Sequence, residues 1–295
     1  MVNIAVIGVG RVGLAVASLL LLERFVDSLL IVDIARDVLR AAEEELRHVA
    51  AATSADVKFS FMEDSSELSE CDIIVVTAGR PRTSEKSRRE LAGTNAKIIK
   101  SIATSTKDKN PDATYIVVTN PVEVMAYLMW SMLREARVIG TGTWVDTIRL
   151  RAYISKRLGV PVSHICGYVI GEHGERPIIL SETLTIKGRK IGAYVRDCRE
   201  FLNKIREYLT EVSKVVIKGR GGTEFCPAFA TVDIIRAIAL REGQLLTVSY
   251  PEELAASYTY VVGAEIRGMC MATEDELKQL MVISNDIQRA ACGLI

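Results

Sequence analysis

The sequence predicts an α/β fold: a doubly wound parallel sheet over the first half, then a smaller C-terminal α+β domain. Three observations predict it. Short apolar runs alternate with helix-period stretches from Asn3 to about Leu158. A glycine-rich turn separates the first apolar run from the first helix. Beyond about residue 175 the pattern changes to paired short strands followed by long helices.

Taken in order, Asn3–Ile7 reads as a buried strand, and Gly13–Glu23 as a helix with Leu14, Ala17, Ser18 and Leu21 on one face. Leu29–Val32 is a second strand ending at Asp33, and Arg36–Ala50 a charged helix. Asp72–Thr77 and Tyr115–Thr119 are further buried strands, with a helix over Thr94–Thr106 between them. Val138–Gly140 is a short strand before a helix at Val145–Leu158. Alternation of this kind calls for a parallel sheet covered on both faces. In the second half, the apolar run Ile165–Ile170 leads into a glycine-flanked loop. Ile178–Ile186, Gly188 and Lys190-Ile191 read as an antiparallel hairpin. Helices follow at about Val195–Val216 and Ala228–Arg241, and a last one starts at Thr273, whose Glu274-Asp275-Glu276 supply an acidic first turn. The boundary falls near Gly142, giving domains 1–142 and 143–295.

With 295 residues the chain can bury a full core. Its zero formal net charge gives no reason to expect a nucleic acid or other polyanion partner. No apolar run is long and charge-free enough to span a bilayer, and the start runs directly into a strand rather than a signal peptide. The six cysteines show no CxxC spacing, so no metal site is expected and a reducing cytoplasm is the expected compartment. Asn and Gln total only nine, a bias reported for thermophiles.

Gly8-Val9-Gly10-Arg11-Val12-Gly13 directly follows the first strand and opens the first helix. Gly8 permits the tight turn, Gly10 lets a pyrophosphate approach the backbone, and Gly13 lets helix and sheet pack closely. The helix N-terminus adds free N–H groups for phosphate oxygens. Asp33 stands twenty residues past Gly13 at the end of the second strand. A carboxylate there accepts bonds from both ribose hydroxyls and repels a 2′-phosphate, so the Rossmann-type site is expected to take NAD rather than NADP. Arg36 is near enough to soften that exclusion, although a solvated helix-start charge is the better reading of it.

The second cluster is polar and dispersed. His173, one of three histidines, sits in Gly171-Glu172-His173-Gly174. Imidazole is suited to moving a proton near neutral pH, but taken alone a loop histidine reads equally as a surface residue. Asp146 and Arg149, three apart on one helix, share a face. By themselves they read as an internal ion pair. Asn120, before Pro121, ends a strand at the edge where ligands collect in such sheets, or simply forms a turn. The basic segment from Gly79 to Arg89 reads either as a solvated loop or as one that closes over the site.

Together these motifs closely resemble the lactate and malate dehydrogenase family, most of all the lactate-dehydrogenase-like malate dehydrogenases. Gly8–Gly13, Asp33, Thr77-Ala78-Gly79, Arg88, Thr119-Asn120-Pro121-Val122, Asp146-Thr147-Ile148-Arg149 and Gly171–Gly174 fall in the family's order nearly end to end. The resemblance implies that His173 is the acid–base residue and that Asp146 orients it. It also implies that Arg149 clamps the substrate C1 carboxylate, that Arg88 polarises the reacting carbonyl, and that Asn120 contacts substrate and cofactor. Asn95, Thr77, Ala78, Gly79 and Thr119 join Gly8, Gly10, Arg11, Val12, Gly13 and Asp33 at the NAD site. Arg82 occupies the position that reads the far end of the substrate, where lactate-type enzymes carry Gln. Arginine there favours a dicarboxylate, hence malate and oxaloacetate. Thr223 corresponds to a pocket-wall position, or is a helix-entry threonine. The resemblance further implies a homo-oligomer, tetramer or dimer. The rivals are a lactate or other 2-hydroxyacid dehydrogenase, from which only Arg82 separates the reading, and a non-catalytic NAD-binding sensor. Three departures stand out: the lid reads Arg82-Thr83-Ser84-Glu85 without a Pro-Gly, Glu175 replaces an Asp, and 248–271 looks short, as though its strands were trimmed.

Overall fold

A computed structural model describes residues 1–80 and 88–295, with the side chains of 88–90 outside the description. In chain order its elements are β1 (Val2–Ile7), α1 (Arg11–Leu20), β2 (Val26–Val32), α2 (Arg36–Thr53), β3 (Lys58–Met62), β4 (Ile73–Val76), α3 (Arg88–Thr106), β5 (Thr114–Val117), α4 (Val122–Leu133), β6 (Val138–Gly140) and α5 (Trp144–Leu158). The second half adds β7 (Ile165–Cys166), β8 (Val169–Glu172), β9 (Arg176–Ile179), β10 (Thr185–Ile186), β11 (Arg189–Lys190), α6 (Cys198–Arg220), α7 (Phe225–Ala239), β12 (Gln244–Tyr250), β13 (Leu254–Val262), β14 (Ile266–Gly268) and α8 (Glu274–Cys292).

The first six strands form a parallel sheet in the order β3-β2-β1-β4-β5-β6. This is the doubly wound arrangement, in which ligands bind outside the carboxyl ends of the strands. Its central strands are apolar on both faces, and Ile4, Val6, Ile73 and Val75 face one core layer while Ala5, Ile7, Ile74 and Val76 face the other. The sheet does not stop at β6. Gly140 pairs antiparallel with Ser249 of β12, and the order continues β12-β13-β8-β9 into the second half. None of the described helices is long and apolar enough to cross a membrane.

Three features differ from the sequence reading. The strand β3, Lys58–Met62, goes unnoticed in the sequence because it edges the sheet and its residues are exposed or half-buried. Helix α4 goes unnoticed because Val122–Met129 is buried on every side, leaving no 3.6-residue period to find. The expected hairpin over Ile178–Ile186 is instead divided. Arg176–Ile179 pairs with β8, a 3-10 turn over Ser181–Thr183 intervenes, and Thr185-Ile186 pairs with Arg189-Lys190. Leu180 and Leu184 are both fully buried across that turn, so the apolar run hides a change of direction. The stretch at 248–271 carries the end of β12 and all of β13, strands seven and nine residues long.

Candidate active site

The cofactor edge is built from strand ends. Gly8 has φ +90°, and a Cβ there would fall 2.5 Å from the Cα of Ala78, so only glycine lets the turn after β1 pass the turn after β4. At Gly13 a Cβ would fall 1.9 Å from the Gly8 carbonyl oxygen. Gly10, the N-cap of α1, has no atom within 4 Å of a Cβ position, and no side-chain cap hydrogen bond closes the start of the helix. Asp33 accepts from Val9 N through Oδ2 and from Ala35 N through Oδ1, both at 2.9 Å, which fixes the carboxylate beside the glycine turn. The Thr77 hydroxyl donates to the carbonyls of Gly8 and Ile7, and the Thr119 hydroxyl to those of Ala78 (2.8 Å) and Val76 (3.2 Å). Asn95 is buried. Its Oδ1 accepts from Arg80 N at 2.8 Å and its Nδ2 donates to Asn120 O at 2.7 Å, so it ties together the loops that carry Gly79 and Asn120. Arg11 reaches toward the second half, where a Cβ added at Gly221 would lie 3.3 Å from its Nη2. Arg36 is exposed and pairs with Glu63 at 3.4 Å. This combination of an open helix N-terminus, a glycine turn and an oriented carboxylate fits the pyrophosphate and ribose of a dinucleotide.

The second cluster gathers where α5 crosses β8. Thr143 Oγ1 donates to Val169 O at 2.6 Å, and Val169 N donates to Thr147 Oγ1 at 2.9 Å, so the first turn of α5 is pinned to β8. The Arg151 guanidinium lies over Trp144 and Tyr168, 5.2 and 5.1 Å from the ring centres, which reinforces the same crossing. On this frame Asp146 is fully buried and its Oδ2 is 2.7 Å from His173 Nδ1, in the turn between β8 and β9. The Asp146 Oδ1 is 3.7 Å from Arg149 Nη1. That is close enough for attraction and too long for a hydrogen bond. Neither atom has a hydrogen-bond partner among the described residues, although both are buried. A buried guanidinium nitrogen without a partner is costly, and an anionic ligand would satisfy it. Burial lowers the pKa of His173, but the charge and hydrogen bond of Asp146 outweigh it, and the net shift is upward.

One charged neighbour is invisible in the sequence reading. Glu123, on α4, is 1% exposed, and its Oε1 accepts from His173 N at 3.0 Å and from the Ser257 hydroxyl at 2.8 Å. Burial pushes its carboxyl up to about 7 against the lowering effect of His173 and those hydrogen bonds. The only signal was its place directly after Asn120-Pro121-Val122, inside an apolar helix where a carboxylate is out of character. Cys226 was also passed over. Its thiol is pushed up by burial and drawn back by the neighbouring Arg149.

The structure therefore brings His173, Asp146 and Arg149 together. Thr223 lies half-buried between α6 and α7, and Asn120 is exposed at a cis Asn120-Pro121 peptide beyond β5. Arg82 lies outside the described residues, and Arg88 opens α3 with its side chain outside them.

The lactate/malate dehydrogenase NAD binding domain matches residues 2–140, and the α/β C-terminal domain of the same family matches 143–270. The chain belongs to the lactate/malate dehydrogenase family. It is accordingly an NAD-dependent oxidoreductase. This dehydrogenase is 35% identical over 271 residues to a malate dehydrogenase of Sulfurisphaera tokodaii, covering 90% of this chain and 87% of that protein. It is 31% identical over 302 residues to an L-lactate dehydrogenase of Fervidobacterium nodosum, covering 98% and 97%. Its fold is that of a Plasmodium falciparum malate dehydrogenase, with a TM-score of 0.92 at 22% identity over 100% of this chain and 98% of that one.

Proposed function

We propose that this dehydrogenase interconverts malate and oxaloacetate. The observation that carries the chemistry is the buried His173–Asp146 pair, 2.7 Å apart, beside an Arg149 Nη1 with no hydrogen-bond partner among the described residues. Asp146 accepts the Nδ1 proton of His173, which leaves Nε2 as the atom that exchanges a proton with substrate. Its carboxylate also stabilises the imidazolium before that proton is given up. The guanidinium of Arg149 is suited to hold a substrate carboxylate through two parallel bonds. Gly8–Gly13, Asp33, Thr77–Gly79 and Thr119-Asn120 would hold NAD, with Asn95 fixing the loops around it. When bound, the cofactor supplies or accepts the hydride. For reduction, His173 gives the Nε2 proton to the carbonyl oxygen, and for oxidation its neutral form takes the hydroxyl proton back. The domains in this reading are 1–142 for the cofactor and 143–295 for the substrate, in a cytoplasmic homo-oligomer.

Two considerations favour malate: the 35% identity to a malate dehydrogenase and the arginine at position 82. An arginine facing a substrate methyl group would be left unpaired, a strong penalty on pyruvate. The alternative is a lactate or other 2-hydroxyacid enzyme, favoured by the nearly complete coverage of the Fervidobacterium nodosum relative. Initial rates with NADH decide between them. Oxaloacetate is expected to exceed pyruvate in kcat/KM by on the order of 10²-fold or more. Equal rates would remove Arg82 from the pocket, and turnover of pyruvate alone would establish the alternative.

A further inference from the structure

Glu123 is a buried carboxylate that the mechanism above leaves without a task. It belongs to α4 of the cofactor-binding half, yet both bonds its Oε1 accepts come from the second half: His173 N at 3.0 Å and the Ser257 hydroxyl at 2.8 Å. The Ser257 hydroxyl in turn accepts from Thr143 N at 3.2 Å, the residue that caps α5. Ser257 also sits opposite Gly171, the first glycine of the histidine turn. One carboxylate thus joins the helix after Asn120-Pro121, the histidine turn, strand β13 and the start of the helix carrying Asp146 and Arg149.

We propose that Glu123 is a positioning residue: it holds the His173 turn against the cofactor-binding half, and its negative charge extends the pH range over which His173 keeps its proton. The proposal rests on the dehydrogenase reading of His173. A carboxylate is otherwise a poor choice here, because an amide could accept the same two hydrogen bonds without the cost of burying a charge. What an amide cannot supply is the charge. Among the described residues, the charged groups bearing on His173 are Asp146 and Arg149 from α5 and Glu123 from α4. Within its own hairpin, Glu172 is paired with Arg176 at 2.6 Å, and Arg176 also pairs with Asp286 of α8 at 2.7 Å, while Glu175 lies in the same turn. Among these groups, Arg149 and a protonated His173 carry two positive charges, and Asp146, shared between them, carries one negative charge, so Glu123 supplies the second. The two groups act on each other in the expected directions: after the larger effect of Asp146, Glu123 raises the pKa of His173, and His173 lowers that of Glu123 against the stronger upward push of burial.

The sign follows directly. Removing an anion beside an imidazolium lowers the pH at which the proton leaves. E123Q keeps the hydrogen-bond acceptor and removes the charge. In kcat/KM for 2-oxoacid reduction, which needs protonated His173, its high-pH falling limb is expected about one pH unit below that of the wild type. On the acid side of the limb, kcat should remain within a few-fold and NADH binding should be unchanged. E123D keeps the charge on a shorter arm, so its limb is expected to return to the wild-type position with reduced kcat. The chain's three histidines make an independent readout practical. The 13C-imidazole NMR titration of His173, assigned by its loss in H173Q, should show the same displacement in E123Q whether or not the protein turns over any substrate. A wild-type protein without 2-oxoacid reduction would defeat the dehydrogenase reading, and the NMR titration would still decide the role of Glu123. Superimposable titrations in wild type and E123Q, with only thermal stability altered, would overturn the proposal and leave Glu123 as a packing residue.

Discussion

The cofactor edge and the corner that holds His173 are built on opposite plans. At the cofactor edge the polar side chains are already engaged with backbone. Asp33 holds two amides, Thr77 and Thr119 hold carbonyls, and Asn95 joins two loops. The surface left for a ligand there is backbone N–H, open glycine and the remaining lone pairs of the Asp33 carboxylate. At the corner the side chains face one another as charges, and Asp146 Oδ1 and Arg149 Nη1 are buried without hydrogen-bond partners among the described residues. A backbone site needs little beyond local geometry and tolerates a ligand's absence. A charged corner holds uncompensated polarity that a bound anion would relieve, which is how binding energy is directed to the reacting end of a substrate.

Three substitutions sharpen this contrast. The largest effect is expected for H173A. It should lower kcat by on the order of 10²- to 10⁴-fold while leaving NADH affinity, measured by fluorescence titration, close to wild type. Lost NADH binding would show that the two regions are not separable. D33A should act in the opposite sense. NADH affinity is expected to fall about tenfold with kcat at saturation little changed, and discrimination against NADPH should narrow, because the two backbone amides and the ribose lose one acceptor while the repulsion of a 2′-phosphate disappears. If kcat at saturation fell as far as in H173A, the separation would fail. The smallest effect belongs to a site outside both regions. Thr273 and Glu276 form a reciprocal capping box at the start of α8, and T273A should cost about 1 kcal/mol. That corresponds to about 2 °C in the melting temperature of a chain this size, with no change in either substrate's KM.

The same contrast explains what could be read in advance. The glycine turn and Asp33 are legible because their requirements are local: a φ of +90° at Gly8 and contact between Gly13 and Gly8 leave glycine as the fitting residue. Asp146 and Arg149 are legible as a helical pair, but their meeting with His173, twenty-seven residues beyond Asp146, depends on α5 crossing β8 through Thr143, Thr147 and Val169. No spacing rule contains that crossing, and only the order of motifs suggested it. Glu123 was hidden twice, by an all-apolar helix with no periodicity and by the expectation that carboxylates stay in water. The strand β3 failed for the reverse reason, since at the sheet edge its residues are too exposed to give an apolar run.

The pairing of Gly140 with Ser249 has one more consequence. Because β6 continues into β12, the ladder that begins at β3 passes through the cofactor edge and ends at β9, beside the histidine turn. The two halves therefore share one continuous ladder, joined through the single pairs Gly140–Ser249 and Gly171–Ser257. The span between the nucleotide turn and the histidine turn is carried by strand backbone and cross-strand hydrogen bonds. Evolution of a new substrate on this frame would act through the side chains that stand on the ladder, with the order of its strands kept.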